Sequence, residues 1–211
     1  MYRKTLVPLL AALALAACED TAGPESGLSP AEVSALSEAM IDADYAVTGE
    51  VAAADAESDA VAFEPITATT TFTATRTCPA GGQVVREGTH IRVWDRATHT
   101  GYSDLSMTKT HQDCARIVGD VTLTVNGDPN IAVEAHHEWA EGQRHGLQTL
   151  DIEGALTWST DDGREGACTI HLSASFDPDT RTRTVSGTFC DRAIERTTTW
   201  QMGGMGGHGG A

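Results

Sequence analysis

The stretch 131-IAVEAHHEWAEGQRHGLQTLDIEGALTW-158 decides the fold class of this chain. Its first part alternates apolar and polar residues from Ile131 to Trp139, and its last part does the same from Leu150 to Trp158. A period of two places successive side chains on opposite faces of a β-strand, so each strand has one apolar and one polar face. This pattern is typical of an antiparallel sheet with one side against a core and the other in water.

The same pattern extends over residues 65–201, which are rich in Thr and Val and carry repeated turn signals such as 126–130, 161–163 and 177–179. We predict strands at 67–77, 83–95, 101–112, 117–126, 131–140, 146–158, 166–176, 183–191 and 194–200. The clearest apolar faces are Val121/Leu123/Val125, Ile131/Val133/Ala135/His137/Trp139, Leu150/Ile152/Leu156/Trp158 and Ile170/Leu172/Ala174/Phe176. The predicted fold is all-β, an antiparallel up-and-down meander of eight or nine strands. It forms a barrel or a half-barrel, and closure is favoured because it removes the exposed sheet edges.

The segment before the strands, residues 18–64, predicts an acidic tether containing one amphipathic helix at 30–43. Residues 19–64 carry twelve acids and no Lys or Arg, whereas residues 65–211 carry eighteen acids and twelve Lys or Arg. Ser29 suits the N-cap and Glu32 completes a capping box. The apolar stripe of the helix, Val33, Leu36, Met40 and Ile41, predicts that it docks on the sheet, with binding to a partner as the alternative. Residues 48–64 hold few large apolar groups and predict a linker.

The cysteines predict two disulfides, since four of the five lie in the β domain and an even number in an exported chain indicates pairing. A meander brings the end of the first strand, with Cys78, and the end of the third strand, with Cys114, to the same edge. It also places Cys168 and Cys190 level on the last clear hairpin. One difficulty is that facing Cys190 toward its partner turns Val185 and Phe189 away from the apolar face, which a bulge would reconcile. A zinc site made of all four cysteines is the alternative. The predicted bridges are Cys78–Cys114 and Cys168–Cys190.

The amino terminus has the organisation of a secretory signal peptide. Arg3 and Lys4 precede an apolar stretch that ends in Leu15-Ala16-Ala17-Cys18. These four residues resemble a bacterial lipobox. The resemblance implies that residues 1–17 are removed and that Cys18 is acylated, which would anchor the protein in a bilayer of the cell envelope, in the inner or the outer membrane. An ordinary signal peptide with a chance cysteine is the alternative.

The net charge of the chain indicates which classes of partner it can bind. The chain carries −16, so the mature protein carries −16 − 2 = −18 after Arg3 and Lys4 are lost. Binding of nucleic acid depends on basic patches, which so acidic a chain does not suggest, and we expect no nucleic-acid partner.

Three residues form the most suggestive chemical cluster. His136 and Glu138 share the polar face of one strand, and His145 follows the next turn, so together they are candidate zinc ligands. The neighbouring His137 alternates onto the apolar face with Trp139, which predicts a core histidine. In the tail at residues 202–211, the candidate soft ligands for copper are Met202, Met205 and His208. This tail is rich in glycine and cannot contribute to a core.

A second group lies on the predicted strand 83–95, where Arg86, His90, Arg92 and Trp94 share a face. If that face lined an interior, its arginines could bind an acidic or polar ligand. The opposite face, Val85, Ile91 and Val93, offers better core residues, which favours an exposed position for the arginine row.

No nucleophile elbow, zinc-protease helix or phosphate-binding loop occurs in the sequence. We therefore expect a non-enzymatic envelope lipoprotein without a cofactor. It would bind an apolar or amphiphilic small ligand, or serve as an interaction module for an envelope protein. The alternative is a metal-assisted hydrolase that uses His136, Glu138 and His145.

Overall fold

The computed structural model describes residues 27–54, 65–139 and 146–199. They form one helix, α1 (Pro30–Ala54), and nine strands: β1 (Ile66–Thr77), β2 (Gln83–Asp95), β3 (Thr100–Gln112), β4 (Cys114–Val118), β5 (Val121–Trp139), β6 (Gln148–Thr160), β7 (Glu165–Asp177), β8 (Thr182–Phe189) and β9 (Arg192–Thr199). None of the helices within these ranges combines the length and the apolar character needed to cross a membrane. The predicted signal peptide, Cys18 and the tail 202–211 lie outside the described residues.

The strands form an antiparallel sheet in the order β1-β2-β3-β5-β6-β7-β8-β9, with the short β4 paired to β5. This confirms the predicted all-β meander. The sheet is open, because no pairing among the described residues joins β1 to β9. The half-barrel is therefore present, and the closed barrel that the sequence favoured is not.

The interior of the half-barrel is occupied by α1. Asp42 pairs with Arg183 on β8, whereas Asp44 pairs with Lys109 on β3. Side chains two residues apart on an α-helix are separated by about 200° around its axis, so these two carboxylates point to opposite sides of α1. Strands β5, β6 and β7 lie between β3 and β8 in the sheet. The sheet therefore curls around the helix, which takes the space that a closed barrel would have filled with side chains of its own.

The start of α1 follows the predicted capping chemistry. The Ser29 backbone N–H donates to Glu32 Oε2 at 2.7 Å, and the Glu32 N–H donates to Ser29 Oγ at 3.3 Å. The predicted stripe docks on the sheet as expected, since Val33, Leu36 and Ile41 are all at most 3 % exposed. The helix ends at Ala54 rather than at residue 43, so part of the predicted linker is helical. Alanine and glutamate are strong helix formers, and they carry the helix beyond its apolar stripe.

The core lies between α1 and the side of the sheet that faces it, which we call the inner face. Its members are mainly the predicted apolar positions, including Ile131, Val133, Leu150, Ile152, Ile170 and Leu172. Residues 126–130 do not form the predicted turn, because β5 runs through them with a register shift between Gly127 and Ile131. The turn lies earlier, at Gly119-Asp120, where Gly119 has a φ of 62°. A glycine at that position accepts the backbone geometry of a tight hairpin.

Both predicted disulfides, Cys78–Cys114 and Cys168–Cys190, are present. The conflict over the face of Cys190 disappears because β8 ends at Phe189. Cys190 lies in the following turn with a φ of 51° and is no longer bound by strand alternation. Val185 and Phe189 therefore stay in the core at 2 % and 0 % exposure.

Candidate ligand-binding cavity

A cavity of about 480 Å³ lies between α1 and the ends of strands β1 to β4. This volume falls within the range of small-molecule sites. We call it the helix–sheet cavity. Its described lining residues are Leu36, Ala39, Met40, Asp42, Ala43, Arg76, Thr77, Cys78, Pro79, Val84, Arg86, Lys109, His111, Cys114, Arg116 and Val125. The Cys78–Cys114 disulfide covalently joins two parts of the wall, so the end of β1 and the start of β4 cannot separate there.

The alternation of side chains along β2 and β3 places basic residues of both strands on the side that faces this cavity. On β3, Leu105 and Met107 face the core, so Lys109 and His111 share that side by alternation. On β2, Arg86 and His90 are only 6 % and 2 % exposed. The inner face thus combines apolar side chains with buried cations.

The placement of the β2 row corrects the sequence analysis. The arginine row was expected outside because Val85, Ile91 and Val93 are better core residues. In the structure that set faces outward, and Ile91 is 37 % exposed. The physical reason is the pairing register, which sets Arg86 opposite Lys109 and His90 opposite Leu105, so the row shares the inner face of β3. A long arginine can lie there because its methylenes pack against apolar groups.

The charge of α1 matches the charge of the sheet. Lys109 Nζ lies 2.5 Å from Asp44 Oδ2, with both side chains almost fully buried. Glu32 receives two hydrogen bonds from Arg164, at 2.7 and 3.1 Å. Other helix acids reach β8 and β9, where Arg183 and Arg196 contact Asp42 and Glu38. The excess acid of the leader is therefore used in part to bind the basic inner face.

The cavity keeps basic groups beyond those that the helix neutralises. Arg76 and Arg116 line it in addition to Arg86 and Lys109, whereas Asp42 is the one carboxylate among the described lining residues. Of these cations, Arg76 and Arg116 are the ones beyond the helix contacts. Arg76 and Arg116 form no salt bridge with another described residue. Arg116 is half-buried, and this partial burial lowers the pKa of its guanidinium from the ordinary value.

The pKa of His111 is affected by the positive charges around the cavity. Burial lowers its pKa to about 4, and the charges of Lys109 and Arg86 act in the same direction. The imidazole is therefore neutral at pH 7. Its buried Nδ1 has no hydrogen-bond partner among the described residues. A neutral imidazole with a spare ring nitrogen can offer a hydrogen bond to a ligand in the cavity.

Two of the predicted zinc candidates, His136 and Glu138, contact each other in the structure. His136 Nδ1 lies 2.6 Å from Asp104 Oδ1, and its Nε2 lies 3.2 Å from Glu138 Oε1. The hydrogen bond to Asp104, helped by the one to Glu138, raises the pKa of His136 despite its partial burial. Both ring nitrogens of His136 therefore already lie within hydrogen-bond distance of a carboxylate oxygen. Tyr102 stacks on this ring at 6.0 Å.

No group of three metal-ligating side chains occurs in the described parts of the chain. His145 falls outside them, as do Met202, Met205 and His208, so zinc at the first cluster and copper at the tail stay predictions. Elemental analysis of the purified protein tests both.

His137 and Trp139 share the inner face, as predicted, at the end of the sheet away from the helix–sheet cavity. Their rings lie 4.4 Å apart. Trp94 contacts Trp139 edge-on at 6.4 Å, and Arg92 lies over the Trp139 ring at 5.4 Å. The crevice between His90 and His137 has a volume of only about 10 Å³. This end is a packed aromatic cluster, with room for no more than about one water molecule.

Sequence reasoning named Arg86 as a ligand-binding candidate but missed Arg76, Lys109, His111 and Arg116. A signal for two of them was present, because Lys109 and His111 continue the alternation of Leu105 and Met107. Arg76 and Arg116 carried no such signal, since their position depends on how the strand ends meet. Comparison with known proteins gives no match: no family model, no curated protein and no solved structure matches this chain.

Proposed function

We propose that this protein is a non-enzymatic binding module of the bacterial cell envelope, which holds a small ligand in the helix–sheet cavity and is anchored through an acylated Cys18. The observation that carries the binding function is the cavity itself, about 480 Å³ with a lining of apolar and basic side chains. Pockets of this kind, mostly apolar with a few convergent polar groups, are the ordinary form of small-molecule sites.

Two features support the envelope location. Leu15-Ala16-Ala17-Cys18 resembles a lipobox after a basic and apolar leader. The two disulfides agree with an oxidising compartment outside the cytoplasm, because thiols in the cytosol are kept reduced. Mass spectrometry of the mature protein tests the anchor, and we expect Cys18 to be the first residue and to carry acyl chains. An unmodified amino terminus beyond Cys18 would refute it.

The binding function is tested by filling the cavity. Val84 lines it, whereas its neighbour Val85 points to the other side of β2. We expect Val84→Trp to abolish the fluorescence increase of a neutral dye, Nile red, and of an anionic dye, anilinonaphthalene sulfonate. The matched control, Val85→Trp, should leave both unchanged.

A second variant guards against a folding defect. Val125→Phe fills the same space from β5, and circular dichroism checks that each variant is folded. If neither dye binds the wild-type protein, or if both filled variants bind them as well as Val85→Trp does, the cavity is not a ligand site.

A further inference from the structure

The helix–sheet cavity has the lining of a site for an amphiphile with an acidic head group. Its apolar part includes Leu36, Met40, Val84 and Val125. Its polar part is mainly basic. A ligand that satisfies both parts needs an apolar body and a negative charge, because the arginines repel a cationic head group and form charge-assisted pairs with an anionic one.

The lining of this cavity holds cations in addition to those paired with the helix. Lys109 is matched by Asp44, and Asp42 lies 2.5 Å from Arg183 Nη1, so these two carboxylates already have cationic partners. Arg76 and Arg116 add two guanidinium groups that form no salt bridge with another described residue. This concentration of base occurs in a chain with a net charge of −16. A guanidinium binds a carboxylate or a phosphate through two parallel hydrogen bonds, which makes it suited to an acidic head group.

We infer that the ligand of the helix–sheet cavity is an amphiphile with one acidic head group, a carboxylate or a phosphate, held by Arg76 and Arg116 while its apolar body lies against the valines and Met40. This inference rests on the proposed function. It excludes cationic amphiphiles and neutral alcohols of the same length as good ligands, and it predicts that binding weakens as salt screens the arginines.

Isothermal titration calorimetry with four probes of equal chain length tests the inference: decanoate, decyl phosphate, decanol and decyltrimethylammonium. The full mature chain is used with Cys18→Ser, which changes no residue of the helix or sheet and removes the protein's own acyl chains as competitors. We expect at least one acidic probe to bind about tenfold or more tightly than decanol, and the cation to bind most weakly. Comparing the two acids identifies the head group.

The variants separate charge from shape. Arg76→Gln combined with Arg116→Gln should weaken the acidic probe about tenfold or more and leave decanol unchanged. Arg76 is exposed and Arg116 half-buried, so the fold should tolerate these changes better than a change at the buried Arg86. Arg96→Gln, an exposed arginine in the turn after β2, is the matched control and should have no effect.

The outcomes distinguish this inference from the proposed function. Equal binding of decanol and both acids would overturn the acidic head group while leaving a ligand cavity. Binding of Nile red without binding of any probe would overturn the amphiphile. Failure of every dye and every probe would overturn the inference together with the binding function.

Discussion

Replacing Asp44 by leucine should lower the free energy of unfolding by about 3–5 kcal/mol, because it leaves the charge of Lys109 buried without a partner. The two side chains are 0 % and 2 % exposed, and Nζ lies 2.5 Å from Oδ2. At these exposures water can do little to solvate the ammonium group that the substitution leaves without a partner, so most of its desolvation cost remains.

Urea denaturation measures this cost through Asp44→Leu, Lys109→Met and the double variant. We expect each single variant to be strongly destabilised and the double variant to regain most of the loss, because an apolar pair of similar size replaces a buried ion pair at little cost. Glu87→Gln, an exposed acid on β2, is the control and should change stability by less than about 0.5 kcal/mol. A cost below about 1 kcal/mol for Asp44→Leu would refute the insertion of α1 between β3 and β8.

Two further predictions concern pH. Hydrogen bonds from Arg164 lower the pKa of Glu32 from 4.5 to about 2. Because the pKa of Glu32 is lower in the folded state, its ion pair stabilises the fold fully above pH 4.5, and this stabilisation is lost as the pH falls toward 2. The free energy of unfolding of Glu32→Gln should therefore depend less on pH over this range. An unchanged pH dependence would contradict the ion pair. The pKa of His136 is raised by Asp104, so its nuclear magnetic resonance titration should lie above 6.5 and fall in Asp104→Asn, whereas a midpoint at or below 6.5 would disprove the pairing.

Structural features that depend on residues close along the chain could be predicted from the sequence. The capping box at Ser29 and Glu32 depends on residues three apart, and it formed as expected. Strand alternation identified the inner positions of β5, β6 and β7, because burial of one sheet face leaves only one register that keeps apolar residues inside. The disulfides followed from the strand order of a meander, which brings each pair of cysteines level, although alternation alone argued against the inward position of Val185 and Phe189.

The failures come from positions where local preference and tertiary context disagree. Residues 126–130 carry ordinary turn residues, yet they lie within β5 because the strand has partners on both sides of the irregular segment. The arginine row of β2 is less apolar than Val85, Ile91 and Val93, yet it faces inward because pairing with β3 sets Arg86 opposite Lys109 and His90 opposite Leu105. Neither outcome follows from hydrophobicity along a single strand.

The amino-acid sequence by itself determined that this chain builds an antiparallel sheet with one apolar face, begins a helix at Ser29 and pairs its four body cysteines in two bridges. These features depend on spacing and on neighbours close along the chain. Only the tertiary structure decided that the sheet stays open, that the helix fills its interior and that basic residues from β1 to β4 meet around one cavity. Those outcomes depend on the match between the acids of the helix and the cations of distant strands, and charge matching across space leaves no periodic signal in a sequence.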